Sequence, residues 1–212
     1  GFIDFPQHHP LLEMFTRPEM NSQAPSVEFR KGDFETASSK LKTIASKWAS
    51  LESAREKHMS EHLQEKIDTI VKGDARLQAK VKQGEKLAVL VTLGTFHAGF
   101  FDDLDKEGVI VEQKVNGLSV DKSGPFVELV LRYRRKENVS DALVAQTLLS
   151  VELFQKKGLM DDRVTALKKL QVCNKAVAGL QLEDIKKISL GLKAGKSVED
   201  LLKAMNIQLP HS

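Results

Sequence analysis

Residues 33–72 read DFETASSKLKTIASKWASLESAREKHMSEHLQEKIDTIVK, a run with neither Gly nor Pro, and how this run folds decides the architecture. Asp33 is placed to cap a helix, because its carboxylate accepts from backbone N–H groups that have no intrahelical partner. At the rise of an α-helix the run spans ~60 Å. The apolar stripe is Leu41, Ile44, Trp48, Leu51, Met59, Leu63, Ile67 and Ile70. Its mean spacing is about 3.6 residues if Arg55 fills the gap. A left-handed coiled coil holds a strict repeat of about 3.5. A heptad frame started at Leu41 puts Arg55, His58 and His62 in the seam. The pattern therefore predicts a long amphipathic helix packed on a globular neighbour rather than a zipper.

Upstream lies a segment of different character. Residues 1–32 hold Pro6, Pro10, Pro18 and Pro25, a spacing that interrupts helix and favours extended chain. The segment is nevertheless apolar, with Phe2, Ile3, Phe5, Leu11, Leu12, Met14, Phe15 and Phe29. Side chains of this kind leave water either onto the protein's own core or onto a partner. Phe2, Ile3, Phe5, Leu11, Leu12 and Phe15 are the candidate partner-binding residues of this arm.

Downstream, Gly73 and Gly84 bracket a short helix over 74–83. Residues 87–93, Leu-Ala-Val-Leu-Val-Thr-Leu, suit either a buried strand or a buried helix, and periodicity does not decide between them. Residues 108–135 read as a small antiparallel sheet. Asn116-Gly117 between apolar runs is a hairpin signal, and Val127, Leu129, Leu131 and Tyr133 alternate after Gly124-Pro125. From about 140 to 206 the chain reads as a helical bundle. Ser140 caps residues 141–156, a second helix covers 161–179, and two short helices follow at 182–190 and 197–205.

The expected fold class is therefore α+β, predominantly α-helical: extended N-terminal arm, long amphipathic helix, small antiparallel sheet and C-terminal helical bundle. The expected divisions are 1–32, 33–83 and 84–212. Aromatic residues at 6% favour helices packed through aliphatic side chains over a β-sandwich.

Several motifs suggest chemistry and stop short of it. His58-Met-Ser-Glu61-His62 has the H-x-x-E-H form in which two histidines on one helix face clamp zinc and the glutamate serves as base. A third ligand is not identifiable, so a metal-dependent hydrolase is a remote reading. Asp103-Leu-Asp105-Lys-Glu107-Gly108-Val-Ile110 begins like a calcium loop, but its twelfth position is Lys114, a cation where a bidentate carboxylate is needed. Gly191-Leu-Lys-Ala-Gly195-Lys196-Ser197 is one residue short of a phosphate loop. It reads instead as a helix end followed by a Ser197 cap. Cys173 sits in a helical apolar pattern and reads as a small core residue.

The densest basic cluster is Arg132, Tyr133, Arg134, Arg135 and Lys136, an aromatic among cations that suits a stacked base. With Lys186 and Lys187 it forms a candidate nucleic-acid face. The net charge of +3 permits an anionic partner without requiring one. No run reaches the ~18 apolar residues that span a bilayer, and the single cysteine suits a reducing, cytoplasmic setting. The expected function is non-enzymatic: structural or assembly work through protein–protein contacts, as a homo-oligomer or with another protein and without a cofactor. A nucleocapsid-like RNA- or DNA-binding protein is the alternative.

Overall fold

The structure, a computed structural model, describes residues 13–14, 16–87, 124–156 and 163–207. Among these residues it is mostly helical and contains no strand. After a 3-10 turn at Pro18–Met20 come α1 Ser26–Arg30, α2 Phe34–Gly73, α3 Ala75–Lys82, α4 Pro125–Arg134, α5 Asp141–Lys156, α6 Arg163–Val177, α7 Leu182–Lys193 and α8 Val198–Ala204. The chain divides into two units, Gly1–Phe15 with Ser50–Lys114, and Thr16–Ala49 with Val115–Ser212. Helix α2 contributes to both.

The second unit is built around α5, which packs against α1, α4, α6 and α7. Val144, Ala145, Thr147, Leu148, Leu149, Ser150, Glu152 and Leu153 are all buried, so this helix is enclosed on nearly every side. An enclosed helix must satisfy its own polar groups. Thr147 Oγ1 donates to the Leu143 carbonyl at 2.8 Å, and Ser150 Oγ donates to Asn174 Oδ1 at 2.6 Å. Ser140 caps α5, its Oγ accepting from the Leu143 N–H at 3.2 Å. Cys173 is fully buried on α6, as a small core residue should be.

The first half of α2 belongs to this unit. Phe34, Ala37, Ser38, Leu41, Ile44, Ala45 and Ala49 are buried at steps of three and four, a stripe of helical period. Asp33 caps it as the sequence predicts, with Oδ1 accepting from the Thr36 N–H at 3.1 Å. The ring of Trp48 meets that of Phe126 edge-on at 6.0 Å. Its indole N–H donates to the Met20 carbonyl at 2.9 Å.

Two expectations are overturned. The α+β class fails where it can be checked, because Pro125–Arg134, expected as a strand of the sheet, is helix α4. Pro125 stands at the first helical position, where its missing N–H costs nothing. Gly124 turns the chain into it at φ 99, a value a side chain rarely adopts. Strict alternation leaves Val130 facing water, whereas Val127, Leu129, Val130 and Leu131 are all buried. The helical register also brings Glu128 and Arg132 into an ion pair at 2.7 Å. The other part of the proposed sheet, 108–123 with its Asn116-Gly117 turn, lies outside the described residues, as does the run 88–93. The second correction concerns the part of the extended arm within the described residues, because Pro18–Met20 and Ser26–Arg30 are helical turns. Met20 and Phe29 are buried at 3% and 0% exposure.

In the first unit, Leu51, Glu52, Glu56 and Met59 of α2 are buried. The gap in the apolar stripe is thus taken by Glu56, while Arg55 sits half-buried and 3.6 Å from Glu52. Asp74 ends α2 and caps α3, its Oδ1 accepting from Arg76 N at 2.8 Å and Leu77 N at 3.3 Å. Among the described residues no helix is long and apolar enough to cross a membrane.

Candidate functional site

The residues proposed for nucleic-acid binding lie on or just after α4 and on α7, and several stand beside carboxylates. Arg132 Nε donates to Glu128 Oε1 at 2.7 Å, and its Nη1 donates to the Asn138 carbonyl at 3.3 Å. Tyr133 is half-buried, and desolvation pushes its hydroxyl pKa up. Arg134 is also half-buried on α4, and Arg135 and Lys136 lie exposed in the turn after it. Lys186 lies on α7, 3.6 Å from Glu183 and 4.0 Å from Glu35, with its ammonium 5.5 Å from the Phe34 ring centroid. Lys187 is 4.0 Å from Asp184. Arg132, Lys186 and Lys187, three of these six cations, therefore lie beside carboxylates. Sequence proximity showed the cations and hid the acids that helical spacing sets beside them.

His58 and His62 stack at 4.1 Å between ring centroids, and His62 Nδ1 lies 2.8 Å from the His58 carbonyl oxygen. Glu61 is exposed and 3.7 Å from Lys57. Among the described residues no group of three or more His, Cys, Asp or Glu side chains gathers as metal ligands do. The arm residues Phe2, Ile3, Phe5, Leu11, Leu12 and Phe15 lie outside the described residues.

Two features went unread in the sequence. The first is an ion pair on a buried carboxylate that fastens residues 16–32 to the helical body. Arg30 Nε lies 2.7 Å from Glu152 Oε2, with the Glu152 side chain fully buried and that of Arg30 46% exposed. Arg30 Nη2 also donates to Gln155 Oε1. Nearby, Ser189 Oγ donates to the Phe29 carbonyl at 2.6 Å, and Lys40 reaches Glu28 at 2.6 Å. A carboxylate at a core-facing position of α5 was the available signal: Glu152 follows Ala145, Leu148 and Leu149 at helical spacing.

The second is a loss of burial along α2. Its stripe is closed at Glu52, Glu56 and Met59, half-open at Leu63 and Ile67, and exposed at Ile70, which is 47% accessible. Helix α3 continues the trend with Leu77 half-buried and Val81 46% accessible. An isolated exposed aliphatic is ordinary. Here the exposed residues continue a stripe that is buried one to three turns earlier.

No known protein family, curated protein or solved structure matches this chain.

Proposed function

We propose that this protein is a structural or assembly protein that works through protein–protein contacts. The observation that carries the reading is the open end of the α2 stripe, from Leu63 through Ile67 and Ile70, with Val81 of α3 beyond it. Burying a fully exposed aliphatic side chain contributes on the order of 1.5–3 kcal/mol, and these are at most about half-accessible, so each adds up to roughly half of that and several together support a modest interface. Flanking charges of both signs, among them Glu65, Lys66, Asp68 and Lys72, suit a polar rim around it. A reducing, cytoplasmic setting is part of the proposal and rests on the single cysteine of the sequence. Nucleic-acid binding takes second place because acids lie beside Arg132, Lys186 and Lys187.

The test is mass in solution by light scattering across a concentration series. Wild type is expected above the single-chain mass at high concentration, and Ile70→Glu with Val81→Glu is expected to reduce it toward the single chain. Wild type at the single-chain mass throughout, or association unchanged by both substitutions, removes this face as the contact. Titration with short RNA at two salt concentrations addresses the second reading: binding that weakens with salt and is lost in Arg135→Ala/Lys136→Ala would favour it.

A further inference from the structure

The segment 16–32 is attached to the bundle mainly through α1. Helix α1 has five residues, far fewer than a free helix needs to persist. It is held by what it packs against, α5 and α7. Phe29 is its fully buried anchor, Arg30 pairs with Glu152, and the Phe29 carbonyl takes the Ser189 hydroxyl. Met20, upstream, receives the Trp48 indole N–H.

The connection to α2 is three residues, Lys31, Gly32 and Asp33. Asp33 N–H donates to the Glu28 carbonyl at 3.0 Å and Gly32 N–H to the Phe29 carbonyl at 3.1 Å. These two bonds, with Gly32 at φ 76, form a Schellman stop. The next residue, Asp33, starts α2. A single left-handed glycine therefore separates α1 from a forty-residue helix. If Gly32 takes helical dihedrals, α1 and α2 become continuous and α1 leaves its own groove.

We propose that residues 16–30 are an exchangeable strap: in a dimer, each copy's α1 occupies the α5/α7 groove of the other, with Gly32 as the hinge. The groove and its occupant are already complementary, so exchange requires no new contact surface. This contact is separate from the exposed α2 face, and either can fail without the other.

The hinge and the ion pair each give a test. Alanine at position 32 disfavours the left-handed turn by about 1–2 kcal/mol, which corresponds to roughly a tenfold rise in the open, exchange-competent form. Gly32→Ala, refolded at high concentration, is expected to show a severalfold larger dimer fraction by native mass spectrometry. Adding Ile70→Glu should leave that dimer intact, and adding Arg30→Ala should leave the dimer fraction little changed, because the pair with Glu152 is lost equally from the closed chain and from the exchanged dimer. Next, Arg30→Glu and Glu152→Arg are made in separate chains. Each alone faces like charge across its own groove. Mixed and refolded together, they restore both opposite-charge pairs only by exchange, so a one-to-one heterodimer is expected. If Glu152→Arg does not fold alone, recovery of folded protein only in the mixture supports the proposal equally. Gly32→Ala with no more dimer than wild type, together with no heterodimer from the mixture, would overturn it.

Discussion

The two halves of α2 are made from similar residues and meet different fates. Phe34–Ala49 sets Ala37, Ala45 and Ala49 around Leu41 and Ile44, small residues that let neighbours approach closely, and this stripe is buried along its length. Ser50–Gly73 starts with glutamates in the buried positions and ends with Ile70 exposed. The first half is tied at its flanks by Lys40 to Glu28 and by Lys42 to Asp141 at 2.8 Å. The second shows the exposed pair Lys57–Glu61 and the stacked histidines. One amphipathic pattern thus carries two roles: a stretch finished by its own chain, and a stretch whose stripe runs on into solvent.

The largest contrast is expected from cutting the same kind of side chain in each half. Leu41→Ala, at a fully buried position, should lower stability by about 3 kcal/mol in denaturant unfolding. Ile70→Ala should stay within about 1 kcal/mol, because half of that side chain is already in water. Equal losses at both positions would break the comparison.

Next in size is the strap. Removing one partner of a fully buried pair costs about 3–5 kcal/mol. Arg30 is 46% exposed, so solvent offsets part of that, and Arg30→Ala is expected to cost about 2 kcal/mol. A loss indistinguishable from zero would mean that Glu152 is satisfied without it.

Acid should act on the first half. The hydrogen bond from Lys40 holds the Glu28 carboxyl below its usual range. Hydrogen bonds from Thr36 do the same for Asp33, and the bond from Lys42 does so for Asp141. A lowered folded pKa gives stability that is complete above about pH 5 and is lost as pH falls through the folded value. Lys42 is raised by Asp141, so its share persists until pH climbs beyond the ordinary lysine range. Melting temperatures between pH 6 and pH 3 should therefore fall in wild type. They should fall less steeply in Asp33→Asn, which keeps a capping oxygen but does not titrate. An unchanged slope would remove Asp33 from the account.

The helices were legible where a stop or start was written locally. Asp33, Asp74, Ser140 and Ser197 each act as the cap their side chains suit, and Ser197 Oγ accepts from Asp200 N–H at 3.1 Å. The strand reading of 126–133 failed because a short apolar run fits either period. The deciding signals were Pro125 as a helix start and the Glu128/Arg132 spacing. The arm was misjudged around Pro18 and Pro25, each of which opens or adjoins a helical turn instead of keeping the chain extended. The interaction surfaces were the least legible. Periodicity along α2 says that a stripe exists and not how much of it the rest of the chain covers. The Arg30–Glu152 pair joins positions far apart in sequence, which no local pattern announces.

The central claim is that the open end of the α2 stripe is a protein contact. Light scattering over a concentration series tests it most directly, with wild type compared against the double variant Ile70→Glu/Val81→Glu, both proteins shown to be folded by circular dichroism. The account predicts mass rising above the single chain in wild type and staying near it in the double variant. Identical curves for the two proteins would contradict it.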